Sequence, residues 1–98
     1  MEVEFADDDL DKLETDASFN DGHSDAIVRA FRKRLQFIRA ALDERAFYPM
    51  RSLNFGKLKG SRSHQYSMRL NDQWRLILEI KKGSPKNTIV IVGIEDYH

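Results

Sequence analysis

The chain has 98 residues, 41% of them hydrophobic, which is enough for one packed core but not for two, so we expect a single domain over residues 1–98. It contains no cysteine and no apolar run long enough to span a membrane, which excludes disulfides, thiolate metal sites and membrane insertion and favours a soluble cytoplasmic protein. The formal net charge is zero, but residues 1–25 hold ten acidic residues against one basic residue, whereas residues 26–98 hold fifteen basic against six acidic.

This charge asymmetry has two interpretations. In the first, a solvated acidic segment lies beside a solvated basic body. In the second, the basic residues form a face that binds a polyanion, since phosphate neutralisation supplies most of the non-specific affinity for nucleic acid. The acidic segment is then expected to pack away from the basic face or to shield part of it. Charge alone does not separate the two.

The N-terminal region predicts a short strand followed by a short helix. Val3 and Phe5 alternate with glutamates, which is typical of a strand with one apolar face. Residues 7–15 then predict an acidic helix that turns Leu10 and Leu13 inward. Carboxylates in its first turn are favoured because they lie near the positive end of the helix dipole.

The clearest element is a helix over residues 25–45, for which Ser24 offers an N-cap. Its apolar residues recur at steps of three and four and predict a stripe that faces the core: Ile27, Phe31, Leu35, Ile38 and Leu42. The opposite face of this helix is basic: Arg29, Arg32, Lys33 and Arg39.

The C-terminal half predicts an irregular basic loop over residues 50–62 and then three strands, over residues 65–70, 74–81 and 88–94. The first two strands are joined by a turn at 71–73. The last strand is apolar on both faces, so we expect it inside the sheet. The predicted fold class is α+β: a compact, mostly antiparallel sheet of about four strands with two helices of the N-terminal half packed on one face.

The motifs of common enzyme classes are absent. The histidines His23, His64 and His98 are far apart and lack metal-ligand spacing, so we predict no metal site. The glycines at 56 and 60 are not followed by the Lys-Ser/Thr ending of a phosphate-binding loop. No serine occupies a Gly-x-Ser-x-Gly turn. We therefore expect no cofactor.

Cations and proton-exchanging groups are nevertheless predicted to meet at one part of the sheet. Arg69 and Arg75 alternate with apolar residues on consecutive strands, so the turn between them would bring both to one face. Three more cations lie in the preceding loop: Lys57, Lys59 and Arg62. The sequence ends with Asp96, Tyr97 and His98. A strand rises about 3.3 Å per residue, so these last three residues reach roughly 10 Å.

This set of residues is sufficient for cleaving RNA. The RNA 2′-hydroxyl is the nucleophile, so the reaction needs a base, cations on the phosphate and an acid for the leaving oxygen. Histidine and tyrosine exchange protons, and arginine matches phosphate oxygens bidentately. A structural alternative stays open, in which Arg69 and Arg75 pair with Asp72 or Glu79 and His98 is idle. His64 is either an RNA contact or only a surface residue.

Two stretches resemble a known family. The segment "LKGSRSHQYSMRLNDQWRLILEI" at 58–80 and the terminal "IEDYH" at 94–98 are similar to the HigB group of the RelE/ParE toxin superfamily. The resemblance implies a RelE-like fold and a toxin of a bacterial type II toxin–antitoxin system that cleaves mRNA in the ribosomal A site without a metal. It implies a helix-turn-helix antitoxin partner (HigA-like), through which alone the toxin would contact operator DNA.

The resemblance also assigns roles to residues. Arg75 corresponds to a phosphate clamp, Asp96, Tyr97 and His98 to an acid–base group, and Lys59 to a cation of the active site. RNA or ribosome contacts fall on Lys57, Arg62, His64 and Arg69.

The chain departs from the family in two ways. Gly56 stands where some members carry a catalytic histidine, and the net charge is neutral, whereas these toxins are often strongly basic. Two alternatives to the nuclease stay open. One is a ParE-like inhibitor of DNA gyrase, and the other is a catalytically lapsed toxin that only binds its antitoxin.

Overall fold

The computed structural model describes residues 1–96, which form a five-stranded sheet and two α-helices. In chain order the main elements are β1 (Glu2–Phe5), α1 (Asp8–Thr15), α2 (Asp25–Ala40), β2 (Gly56–Lys57), β3 (Tyr66–Arg69), β4 (Trp74–Lys81) and β5 (Thr88–Asp96). Three short 3₁₀ helices lie at Glu44–Ala46, Arg51–Leu53 and Gly60–Arg62. The predicted α+β class is confirmed.

The strand order is β1-β5-β4-β3-β2, so β5 lies inside the sheet as its apolar sequence predicts. Strands β2 to β5 pair antiparallel with their neighbours, and β1 pairs parallel with β5. The prediction of about four strands missed β2. It consists of only two residues within the basic loop, too few to produce an alternating pattern.

A β-bulge interrupts the pairing of β4 with β5. Ile77 pairs with Gly93 but Leu78 pairs with Ile91, so Val92 is an extra residue in β5. One extra residue reverses which side chains face the core along the rest of a strand. The residues after the bulge therefore face opposite to the direction that simple alternation would give.

Both helices pack on one face of the sheet and enclose the hydrophobic core. The buried core residues that the helices contribute are Leu10, Leu13, Ile27, Val28, Phe31, Leu35 and Ile38. From the strands come Met68, Leu76, Leu78, Ile89 and Ile91, and Leu53, Phe55 and Leu70 add to them from connecting segments. Phe47 lies fully buried between the rings of Phe37 and Phe55, at centroid distances of 5.8 Å and 5.1 Å.

Side-chain caps fix where the helices begin. Asp7 accepts a hydrogen bond from the Leu10 amide at 3.0 Å, and Ser24 accepts one from the Ile27 amide at 3.3 Å. Each cap satisfies an amide that has no partner within the first helical turn. The predicted N-cap Ser24 is thus confirmed.

The longer helix ends five residues earlier than its apolar pattern predicts. Ala41 is extended, with φ −71° and ψ 146°, and the Met1 amino group donates to the Arg39 and Ala41 carbonyl oxygens at 2.7 Å and 2.8 Å. A positive charge is favourable at a helix C-terminus. The inclusion of Leu42 in the buried stripe was wrong, because this residue follows the helix end and is 75% exposed.

The acidic helix packs away from the predicted basic face, against the basic side of α2. The Glu14 carboxylate accepts two hydrogen bonds from Arg39, at 2.9 Å and 2.7 Å. Arg32 donates to the Leu13 and Asp16 carbonyl oxygens at the end of α1. Two of the four cations predicted on α2 therefore contact the acidic segment within the helical layer.

Candidate active site

The face of the sheet opposite the helices, which we term the open face, carries a row of charged residues. Arg75 on β4 pairs directly with Arg69 on β3 and with Glu95 on β5. Directly paired residues project from the same face of a sheet. The prediction that Arg69 and Arg75 share one surface is confirmed by this register.

A cleft of about 260 Å³ opens beside the two arginines and is lined by Asn54, Arg69, Asn71, Asp72 and Arg75. Arg69 donates from Nε to the Asn71 carbonyl oxygen at 3.2 Å and forms an ion pair with Asp72. The pairing with Asp72 matches the structural alternative, but the Asp72 side chain is 94% exposed. Such an exposed pair is weak and can exchange its carboxylate for a phosphate.

The turn that joins β3 to β4 is held by Asn71. Its Oδ1 accepts hydrogen bonds from the backbone amides of Gln73 and Trp74, at 2.8 Å and 2.7 Å. Asparagine is favoured in turns because its side chain bonds to the backbone two or three residues on. This turn brings Arg69 and Arg75 together at the edge of the cleft.

Arg34 of α2 is a third arginine close to this turn, and sequence reasoning missed it. Its Nε donates to the Arg69 carbonyl oxygen at 2.9 Å. Burial, and next the positive charge of Arg69, lower the pKa of Arg34 from its usual value. Its position on the helix gave no signal, because contact with β3 depends on how the helix crosses the sheet.

Arg75 is half-buried and reaches across to β3. Its Nη1 donates to the Ser67 hydroxyl at 3.3 Å, and Ser67 is itself buried. A guanidinium that is already held by a hydrogen bond to the sheet loses little conformational entropy when it binds an anion, which favours phosphate binding. The role of Arg75 as a phosphate clamp stays a prediction.

A second group of polar residues crosses the open face next to Arg75. Arg62 donates to both carboxylate oxygens of Glu95, at 2.9 Å and 2.6 Å, and from Nε to Gln65 at 3.0 Å. Gln65 in turn donates to Glu79 at 3.1 Å. The hydrogen bonds and charge of Arg62, and next the charge of Arg75, lower the pKa of Glu95, whereas burial opposes the shift.

The chain matches the model of the HigB-like toxin family, described as the RelE-like toxin of the type II toxin–antitoxin system HigB, over residues 3–98. The chain belongs to this family. The HigB-like chain is thus a toxin of a type II system, a class of protein that has an antitoxin partner. The resemblance read from its two motifs is confirmed.

A solved structure shows the same fold as this HigB-like toxin. It is a YoeB/ParE toxin from Agrobacterium tumefaciens, with a TM-score of 0.59 and 14% sequence identity over 100% of both chains. At this identity the likeness shows the fold and not the activity. No curated protein matches the chain.

The structure separates the predicted site residues of this HigB-like toxin into groups. Arg69, Arg75 and Arg62 share the open face, where Arg62 binds Glu95, the strand neighbour of Arg75. Lys57 pairs with Tyr66, whose ring stacks on Phe55, so the register assigns Lys57 to the helix-covered face.

The remaining predicted cations are exposed. Lys59 directly precedes the 3₁₀ helix Gly60–Arg62. His64 lies 3.8 Å from the Glu79 carboxylate, so a protonated imidazole would form an ion pair there. The functional roles predicted for these residues stay predictions.

The predicted acid–base group begins inside β5. Asp96 is the last residue of the strand, pairs with Trp74 and accepts a hydrogen bond from the Gln73 side chain at 3.3 Å. The strand therefore extends two residues beyond its predicted end at residue 94. The register sets Asp96 on the Trp74 face, whereas Glu95 projects beside Arg75. Tyr97 and His98 lie outside the described residues.

Gly56, at the position of a histidine in some family members, faces the candidate site. It pairs with Ser67, the residue that contacts Arg75. A Cβ added at Gly56 would meet no atom within 4 Å, and its backbone is not in the left-handed region. The fold therefore leaves open space for a side chain at this position on the open face.

Residues 1–96 lack two further kinds of feature. No group of three or more His, Cys, Asp or Glu side chains in this part of the chain is arranged to hold a metal ion. Neither of its helices is long and apolar enough to cross a membrane.

Proposed function

We propose that this toxin is a ribosome-dependent endoribonuclease that cleaves mRNA in the ribosomal A site without a metal and so inhibits translation. The observation that carries the proposal is the register of three strands at one end of the sheet. It sets Arg75 between Arg69 and Glu95 at the edge of a cleft, and Glu95 directly precedes Asp96 of the terminal motif.

The cleft suits a phosphodiester. Its two arginines supply positive charge, and the Arg69–Asp72 pair can give up its exposed carboxylate to a phosphate oxygen. Arg75 would bind the scissile phosphate and stabilise the charge that develops in the transition state. Lys59 would add charge from the neighbouring loop, whereas Lys57, His64 and Arg69 are assigned to RNA or ribosome contacts.

The reaction itself needs only protein groups and the RNA. A base removes the 2′-hydroxyl proton while that oxygen attacks phosphorus and the bond from phosphorus to the 5′-oxygen breaks. An acid then gives a proton to the departing 5′-oxygen, and a 2′,3′-cyclic phosphate remains on the upstream fragment. We assign the base and acid roles to the group formed by Asp96, Tyr97 and His98, because histidine and tyrosine serve as proton donors or acceptors.

The same proposal includes the partners and the compartment. The antitoxin of this toxin is a HigA-like helix-turn-helix protein that neutralises it, and operator DNA is contacted only through that antitoxin. The second partner is the ribosome with mRNA in its A site. The toxin acts in the bacterial cytoplasm.

Growth arrest in bacteria that express the toxin without its antitoxin tests this function. Arg75→Ala and His98→Ala should each relieve the arrest while circular dichroism of the purified variants stays unchanged. Arg29→Ala, which removes an exposed arginine on α2, serves as the matched control and should remain toxic. Full toxicity of both site variants would contradict the proposal, and a block in DNA supercoiling before translation would favour gyrase inhibition.

A further inference from the structure

The Arg62–Glu95 pair and its extension to Gln65 and Glu79 link the loop before β3 to the strands β4 and β5. Arg62 ends the 3₁₀ helix that follows β2, Gln65 precedes β3, and Glu79 and Glu95 belong to β4 and β5. The bonds that join them measure between 2.6 Å and 3.1 Å. We call these four residues the brace. It fastens the loop that carries Lys59 onto the open face.

The guanidinium of Arg62 is engaged along the side that would otherwise take a phosphate. Nη1 and Nη2 hold the two oxygens of Glu95 in parallel, and Nε is used by Gln65. Bidentate binding of a carboxylate and bidentate binding of a phosphate use the same pair of donors. As long as the brace is closed, Arg62 cannot clamp RNA in this way.

The two arginine–carboxylate pairs of the open face differ in kind. Asp72 is three residues from Arg69, and its side chain is 94% exposed. Glu95 lies in an interior strand and its side chain is 43% exposed. Its partner Arg62 is also held by a hydrogen bond to Gln65. An exposed single pair exchanges its partner readily, whereas a bidentate pair within a network is more persistent.

The position of Glu95 depends on the bulge at Val92. Ile89 and Ile91 face the core before the bulge, and Ile94 packs against the core after it, so Glu95 projects onto the open face beside Arg75. A bulge commonly re-aims a side chain next to a functional site. The bulge therefore determines that the Glu95 carboxylate lies on the open face, where it can bind Arg62.

We propose that Glu95 is a positioning residue that acts through Arg62 and holds the loop of residues 57–64, with Lys59, in place against the Arg75 face. Arg62 then belongs to the structure of the loop rather than to the direct phosphate contacts. The consequence for RNA cleavage rests on the proposed function, whereas the consequence for the loop does not.

Limited proteolysis with trypsin tests the brace without reference to activity. Among the trypsin sites of the loop, Lys57 and Lys59 are not part of the brace, and trypsin cuts a segment at a rate that follows how often it opens. Glu95→Gln keeps the size of the side chain but removes its charge. We expect it to speed cleavage at these two sites by about fivefold, as loss of a modest ion-pair network predicts. Intact mass and N-terminal sequencing of the fragments measure this.

Glu14→Gln is the matched control for the proteolysis. It breaks another bidentate arginine–glutamate pair, with Arg39 at 2.7 Å and 2.9 Å, but in the helical layer. Cleavage after Lys57 and Lys59 should stay at the wild-type rate in this variant. Equal rates in wild type and Glu95→Gln, or equal acceleration by Glu14→Gln, would overturn the brace.

Cleavage of ribosome-bound mRNA by Arg62→Gln, Glu95→Gln and the double variant tests the consequence for the reaction. If Glu95 acts through Arg62, each single variant lowers the rate and the double variant is no slower than the slower single one. A faster reaction with Glu95→Gln, or losses that multiply in the double variant, would overturn the role of Glu95. An inactive wild-type protein would instead contradict the proposed function. The proteolysis would still show whether Glu95 holds the loop in place.

Discussion

At the scale of single residues, the candidate site depends on which face of the sheet each side chain occupies. Alternation along β3 and β4 is regular, so the placement of Arg69 and Arg75 could be predicted from sequence. The pairing of Arg62 with Glu95 could not, because no local pattern connects residues 33 positions apart. Nor could the bulge at Val92, since an apolar run carries no signal for an extra residue.

The empty position beside Ser67 gives a prediction about Gly56. Gly56→His should fold normally, because the added Cβ has open space and the backbone is unstrained. We expect the imidazole to raise the rate of mRNA cleavage by on the order of a hundredfold, which is the low end of general acid–base catalysis. Gly56→Ala is the matched control, with the same backbone change and no titratable group. Equal rates for the two variants would show that a histidine at position 56 does not contribute to catalysis in this toxin.

At the scale of elements, local patterns predicted β1, α1, β4 and most of α2, whereas the element ends were set by contacts distant in sequence. The helix α2 stops at Ala40, where the Met1 amino group meets its last carbonyl oxygens. The strand β2 exists only through pairing with β3. Both features arise from tertiary structure, which an apolar periodicity does not contain.

The contact between the 3₁₀ helix Gly60–Arg62 and β5 gives a prediction about pH. The pKa of Glu95 is lowered below its ordinary value of 4.5, mainly by hydrogen bonds from Arg62. A carboxyl group whose pKa is lower in the folded state stabilises the fold above its ordinary pKa, and this contribution is lost as the pH falls through the lowered value. NMR titration of the Glu95 carboxyl carbon should give a midpoint below 4.5.

The same titration in Arg62→Gln is the control. Its midpoint for Glu95 should move upward, since the first cause of the lowered pKa has been removed and Arg75 contributes less. An unchanged midpoint would mean that Arg62 does not hold this carboxylate in solution.

At the scale of the whole molecule, the fold divides two tasks between the faces of one sheet. The helices cover one face and enclose the core. An ion pair between Glu14 of α1 and Arg39 of α2 holds the acidic segment within this helical layer. The other face keeps the arginines and the cleft. On that face three arginines lie among three carboxylates, with Arg62 paired to Glu95 and Arg69 to Asp72, so both interpretations of the charge asymmetry stay open.

Stability measurements separate true core positions from the apolar residue that lies beyond the helix. Leu35→Ala should lower the free energy of unfolding by about 2–5 kcal/mol, because Leu35 is fully buried. Leu42→Ala should change it by less than about 0.5 kcal/mol, since Leu42 is exposed. Urea denaturation of both variants measures this difference. A similar loss for Leu42→Ala would place that side chain in the core.

Primer extension on a defined mRNA, with purified toxin in the presence and absence of ribosomes, tests the central claim most directly. The account predicts cuts that require ribosomes, persist in EDTA, and disappear with Arg75→Gln while the variant stays folded. Intact mRNA under every condition, or cuts that Arg75→Gln leaves unchanged, would contradict it.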